Sequence, residues 1–170
     1  AVLAQVKRLE NEDFEFEGAD ASLILLMRKA MGRFEPFFKT LGYHARVNQL
    51  SPGADPVSEA TFKVSLPDGA QRHTVSEGHG PVDALNAALR KALQDTYPEI
   101  TEVHLEDYKV RILDGKMATR AKTRVLIESS DTEESWSTVG VSENIITASY
   151  MALADSVEYK LMRARIKNGG

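Results

Sequence analysis

Cysteine is absent from the 170 residues, which removes disulfides, thiolate zinc sites and thiol nucleophiles together and fits the cytosol. Long apolar runs are also missing. The longest, Leu23–Met27, falls far short of the roughly 20 residues a membrane helix needs, and no secretory leader pattern is present. Neither sign of charge dominates: 21 Lys and Arg face 25 Asp and Glu, for a net charge of −4. No basic stripe runs through the chain, so nucleic acid and anionic membrane are disfavoured as partners. Aromatic residues are few, at 7% with a single Trp, and Trp136 reads as sheet packing. With 42% hydrophobic residues the chain can nevertheless bury a core without staples. It begins without Met, inside a helix-like pattern, which points to a piece of a larger protein.

Catalytic constellations are missing too. The four histidines, His44, His73, His79 and His104, show neither H-x-H nor i, i+4 spacing, so a metal ligand set has no support. Glu133-Glu134 and the Glu15/Glu17 pair read as solvated carboxylates. No G-x-S-x-G elbow places a serine on a strained turn.

What the chain does contain is alternating order. Val2, Leu3, Val6 and Leu9 recur at helical spacing, predicting a short helix over Val2–Glu12. Phe14–Glu17 alternates up to Gly18. A second helix is expected over Ala19–Met31, with Leu23, Leu26, Met27 and Ala30 forming one face and Gly32 as its stop. An aromatic knot of Phe34, Phe37 and Phe38 around Pro36 follows. From Gly42 the period changes to two, through Tyr43, Ala45 and Val47, and then Ala60, Phe62, Val64 and Leu66. Pro67-Asp68-Gly69 is a tight turn, and Gln71–Ser76 is a third strand. Gly78-His79-Gly80-Pro81 opens a helix whose Leu85, Ala88, Leu89 and Ala92 share a face and which ends before Tyr97-Pro98.

The order then repeats. In the expected strand Val103–Leu113, Val103 and Leu105 fall on one parity and Tyr108, Val110 and Ile112 on the other. A bulge near Glu106-Asp107 reconciles them. Asp114-Gly115 begins a turn, Thr123, Val125 and Ile127 mark a strand, Ser129–Glu133 reads as a polar loop, and Ser135–Val141 is the last strand before a long helix. Thr74/Thr138, Val75/Val139, Val82/Ile146, Ala84/Ala148, Ala88/Ala152 and Leu89/Leu153 keep one offset of 64 residues. Tyr43-x-x-Arg46 and Tyr108-x-x-Arg111 correspond at 65. Duplication at constant spacing predicts two similar halves. The expected class is α+β: two βββα repeats, at 41–97 and 98–165, forming a domain over 41–170, preceded by a helical linker subdomain over 1–40.

Gly78-His79-Gly80-Pro81 is the most suggestive feature. Its glycines permit close approach of a backbone or a ligand, and the helix start offers free N–H groups. Lacking Gly-Lys-Ser/Thr, it suits a small carboxylate better than a polyphosphate. A ligand-free glycine turn remains the alternative. Ser142 is the expected N-cap of the second copy, and Tyr108 is open between core and ligand contact.

These strings carry a family resemblance. Gly78-x-Gly80-Pro81-Val82-Asp83-Ala84-Leu85, Thr138–Ile146 with Ala148-Ser149, and Asp155-Ser156-x-Glu158-Tyr159-Lys160-Leu161 resemble the C-terminal regulatory region, the LeuA-type allosteric and dimerisation domain, of the 2-isopropylmalate synthase, citramalate synthase and homocitrate synthase-like acyltransferases. The G-V-S-E-N-I-I-x-A-S lettering is most similar to citramalate synthase, and Phe16–Leu26 resembles the linker preceding that domain. The resemblance implies a homodimer, attached to a catalytic barrel that holds acetyl-CoA and a divalent metal outside this chain, with no cofactor or catalysis in the chain itself. It implies feedback by an end-product amino acid: isoleucine for citramalate synthase, leucine for isopropylmalate synthase. The effector contacts it implies are Gly78, Gly80, Pro81 and Val82, then Leu105, Asp107, Tyr108 and Ile112, and at the second mouth Val141 and Glu143. A dimerisation module without ligand is the competing reading.

Overall fold

The computed structural model describes residues 2–113 and 121–169; the expected Asp114-Gly115 turn lies outside them. Its elements are α1 (Val2–Asn11), α2 (Asp20–Ala30), β1 (Lys39–Asn48), β2 (Val57–Ser65), β3 (Gln71–Gly78), α3 (Pro81–Leu93), a 3-10 turn (Pro98–Glu102), β4 (His104–Ile112), β5 (Thr123–Ser130), β6 (Ser135–Ser142) and α4 (Ile145–Lys167). The architecture is the expected α+β duplication, two antiparallel β-meanders each followed by a helix, with helices in front. By contacts the chain forms two units, Pro36–Thr101 and Ala1–Glu35 with Glu102–Gly170.

In the first unit, alternation sends Ala60, Phe62 and Val64 of β2 to one face, where all three are buried. Helix α3 covers them with Ala84, Leu85, Ala88, Leu89, Ala92 and Leu93. Tyr43 stacks on Phe62 from the neighbouring strand. Phe37 meets Tyr97 edge-on, and the Tyr97 hydroxyl donates to the Phe37 carbonyl at 2.7 Å. The aromatic knot therefore ties the start of β1 to the end of α3. At the β2–β3 turn, Gly69 takes φ +85°, as the tight turn requires.

In the second unit, Val125, Ile127, Thr138 and Gly140 face α4, and Trp136 is buried there, donating its indole N–H to the Ser156 carbonyl and hydroxyl. The polar loop expected at Ser129–Glu133 begins later, because Ser129 and Ser130 continue β5. Ser129 tolerates burial because its hydroxyl pairs with that of Ser156 at 2.7 Å. The opposite face of this sheet is covered from the N-terminal side: Ala19, Val139 and Val141 form a buried cluster packed by Phe14, Phe16, Leu113 and Leu126. Arg124 of β5 donates from Nε and Nη2 to the Asp13 carbonyl, and Lys122 reaches the Asp13 carboxylate, pinning the α1–α2 connection.

Helix α2 buries Ala21, Ser22 and Leu25, while of the apolar face formed by Leu23, Leu26, Met27 and Ala30 three residues are half-buried and Met27 is exposed. A polar anchor sets its rotation. Ser22 Oγ accepts the amide N–H of Val139 at 3.0 Å and donates to Asp155 Oδ2 at 2.7 Å. Strand β6 is an edge strand, so this serine pairs an amide that the sheet leaves over.

The two halves match in detail. Each first strand carries one irregularity, between Thr40 and Gly42 in β1 and between Leu105 and Asp107 in β4. The bulge expected from the parity change near Glu106 is therefore present, and Leu41 is its counterpart 65 residues earlier. Tyr43 lies in register with Phe62 and Thr74, and Tyr108 with Ile127 and Thr138.

Candidate functional site

At the first helix mouth, the two glycines do different work. A Cβ on Gly78 would stand 2.4 Å from the Ala84 amide nitrogen and 2.9 Å from the Ala84 Cα, so only glycine lets α3 turn back against the end of β3. A Cβ on Gly80 would meet nothing within 4 Å, and its φ of −153° is ordinary extended backbone. The fold gives Gly80 no reason to be glycine. It is the N-cap, with no side-chain cap hydrogen bond, and Pro81 follows in the first turn. Pro81 has no N–H, and Ala84 N bonds back to the Gly80 carbonyl. The amides of Val82 and Asp83 are thus the first-turn donors left without a helical partner.

The rim of this mouth is acidic. An open cleft of about 710 Å³ is lined by Asp55, Pro56, Val57, Glu77, Gly78, His79 and Asp83. Asp83 Oδ2 accepts the His79 amide at 2.9 Å. Three carboxylates beside unpaired amides make a surface of mixed polarity. A polyphosphate would meet repulsion from Asp55, Glu77 and Asp83, whereas a zwitterion finds donors for its carboxylate and acceptors for its ammonium.

The second mouth is built otherwise. Asn144, not the expected Ser142, caps α4, its Oδ1 accepting the amides of Ile146 at 2.8 Å and Thr147 at 3.2 Å. Ser142 Oγ instead accepts the Asn144 amide at 3.1 Å. Both residues are good caps, and the chain uses them in series. Glu143 lies between them, exposed. Val141, at the end of β6, is buried in the cluster with Ala19 and Val139.

Along β4 the expected contacts separate. Tyr108 and Ile112 share the α4 side, and the bulge brings Leu105 onto it by its register with Ser129. Leu105 and Ile112 stand near opposite ends of the strand, roughly 20 Å apart at ~3.3 Å per residue. Asp107 points to the other face, where its carboxylate meets Lys109 Nζ at 2.8 Å. The Lys109 hydrogen bond holds that carboxyl below the usual range. Leu105, Val110 and Ile112 remain exposed, Ile112 at 68%. The structure thus brings Gly78, Gly80, Pro81 and Val82 together at one mouth, and Leu105, Tyr108 and Ile112 on one side of a strand.

Tyr108 sits between the two readings left open for it. It is half-buried, and its hydroxyl lies 2.8 Å from Ser149 Oγ on α4. Ser149 donates to the Ile145 carbonyl at 2.7 Å, so the Tyr108 O–H is the donor to Ser149, and its own oxygen keeps its acceptor capacity. Ser149 belonged to the string that carries the family resemblance, yet nothing in its spacing marked it as the tyrosine's partner. Asp55 and Glu77 were also missed, because only the folded β2–β3 pair carries them to the mouth. Among the described residues no group of three or more His, Asp or Glu is placed to hold a metal, and no helix is long and apolar enough to cross a membrane.

Comparison with known proteins adds identity to this geometry. The model of the LeuA allosteric (dimerisation) domain matches residues 17–161. An (R)-citramalate synthase of Geobacter sulfurreducens is 50% identical over 163 residues, covering 96% of this chain and 31% of that protein. One from Synechocystis is also 50% identical, over 94% of this chain and 30% of its own length. A 2-isopropylmalate synthase of Aquifex aeolicus is 32% identical over 72% of this chain and 23% of that protein. The chain therefore spans about three-tenths of the citramalate synthases it matches.

Proposed function

The chain belongs to the LeuA allosteric (dimerisation) domain family, and from that premise we propose that it binds isoleucine as the feedback effector of an acetyl-CoA-dependent citramalate synthase. The observation that carries the reading is the uncapped mouth of α3. Gly80 has open space where a Cβ would stand, and no side chain caps the helix. The amino acid's carboxylate meets the Val82 and Asp83 amides, helped by the helix dipole. Its ammonium meets the acidic rim of Asp55, Glu77 and Asp83. The second mouth has its donors taken by Asn144, which favours α3 as the carboxylate site.

Gly78, Pro81, Leu105, Asp107, Tyr108, Ile112, Val141 and Glu143 complete the proposed contact set by resemblance. Isoleucine is preferred to leucine because the relatives called citramalate synthase match at higher identity and over more of the chain. The parent protein is a homodimer whose catalytic barrel, with its metal and acetyl-CoA, lies outside this chain. The exposed Leu105, Val110 and Ile112 on an edge strand supply apolar surface for pairing. Inhibition follows if isoleucine binds one arrangement of the dimer better than another.

Titration calorimetry with isoleucine, leucine and valine tests the proposal. Heat for isoleucine at lower concentration than for the other two is expected. No heat for any of them would leave a dimerisation module without an effector.

A further inference from the structure

Four side chains of the second unit are joined by hydrogen bonds and one helix. Tyr108 on β4 touches Ser149 on α4 at 2.8 Å. Six residues further along α4, Asp155 accepts the Ser22 hydroxyl of α2 at 2.7 Å. Ser22 in turn accepts the edge amide of Val139 at 3.0 Å. Lys29 of α2 adds a 2.6 Å contact to Glu158, one helical turn beyond Asp155. Ser149 and Asp155 lie about 9 Å apart along one continuous helix at ~1.5 Å per residue, which is the route by which a displacement at Ser149 would reach Asp155.

The seat of α2 is built to respond to that displacement. Only Ala21, Ser22 and Leu25 of the helix are buried, so its apolar grip is small and the polar anchor decides its position. Ser22 has one proton and gives it to Asp155. If α4 moves, Ser22 must break with either α4 or the β6 edge, because directional hydrogen bonds weaken steeply with angle and distance. Coupling between sites needs an element that can rest in more than one way, and a hydroxyl shared by α4 and the β6 edge is placed to supply one.

We infer that Ser22 is a positioning residue that makes the seating of α2 depend on the state of the Tyr108–Ser149 contact, so that effector binding is read out at the linker helix. The inference rests on the effector reading above, since Tyr108 belongs to the proposed contacts. It predicts that isoleucine changes the protection of α2 without touching it.

Calorimetry and amide hydrogen exchange on the wild-type chain, Ser22→Ala and Asp155→Asn separate the two claims. In the wild type, isoleucine binds, and exchange over Asp20–Ala30 changes by about fivefold or more, the low end of ordinary allosteric coupling. Ser22→Ala keeps the wild-type Kd but loses the response in α2. Asp155→Asn keeps an acceptor for the Ser22 hydroxyl and retains the response. Isoleucine binding to the wild type with no change in α2 would overturn the inference, as would an α2 response in Ser22→Ala equal to wild type. The first of these holds even if Ser22→Ala fails to fold. No isoleucine heat with the wild type overturns the effector reading, and this inference with it.

Discussion

Thr138 Oγ1 donates a 2.7 Å hydrogen bond to the Ala152 carbonyl, and 64 residues earlier Thr74 Oγ1 does the same to Ala88 at the same distance. Each bond fastens the helix of a half to the third strand of its sheet. Thr138 is fully buried and Thr74 half-buried. Thr138→Val is therefore expected to cost about 1–2 kcal/mol, and Thr74→Val less, since water can replace the lost partner there. Urea unfolding of both variants measures the difference; equal costs would show that burial does not set the value of this bond.

The glycines of the two helix–sheet junctions separate packing from ligand binding. A Cβ on Gly140 would lie 2.0 Å from the Ala148 carbonyl oxygen, a backbone atom that cannot step aside. Gly140→Ala and Gly78→Ala are expected to destabilise by about 3 kcal/mol or more, the upper range for overpacking. Gly80→Ala is expected to leave the melting temperature within a few degrees and to weaken isoleucine binding. A Gly80→Ala protein that binds isoleucine as wild type would remove the α3 mouth from the effector site.

The Asp155 carboxyl is pushed up to about 6, by burial first, with Glu158 adding to the rise, while Lys29 and the Ser22 hydroxyl act against it. A carboxyl raised in the folded state is protonated there at a pH where the unfolded chain has already lost its proton. Stability from this group is therefore full below about pH 4 and lost as pH rises through 6, by about 3 kcal/mol in all. Asp155→Asn is expected to flatten the stability profile between pH 4 and 6. An unchanged slope in that window would assign the pH dependence to another group.

Lys160 is buried at the far side of α4, where its Nζ meets Asp131 at 2.6 Å and Glu102 at 2.8 Å. Asp131 also accepts the amides of Glu133 and Glu134. Burial acts to raise its carboxyl, but Lys160 and those amides outweigh it and lower the carboxyl to about 2. A depressed carboxyl contributes stability above about pH 4 that is lost as pH falls towards 2. Lys160→Met strands Asp131 and is expected to cost about 3–5 kcal/mol at neutral pH. Thermal melts at pH 7 and pH 3 should show the penalty shrinking in acid.

The legible part of this protein was its repetition. The offset of 64 residues located both helices and their strands, because a sheet packed on one helix needs apolar residues at period two and then at about 3.6. The parity change at Leu105–Tyr108 disclosed the β4 bulge. Its twin at Leu41 went unread, since no apolar pair on either side of it changed parity. Ser129 and Ser130 looked like loop for want of the Ser156 and α4 contacts that make them strand.

Sequence alone determined the class, the duplication, the helix mouths and, through their lettering, the family. Those follow from local spacing and from strings of neighbouring residues. Tertiary structure decided which polar groups were spoken for. Ser142 was the expected cap, Gly78 and Gly80 were equal as glycines, and Ser22 was one small residue in an apolar helix. The fold gave the α4 mouth to Asn144, left the α3 mouth open, reserved Gly78 for packing, and set Ser22 between an edge amide and Asp155. A hydrogen bond depends on where partners from distant segments come to rest, to within a few tenths of an ångström, and no spacing along the chain encodes that distance.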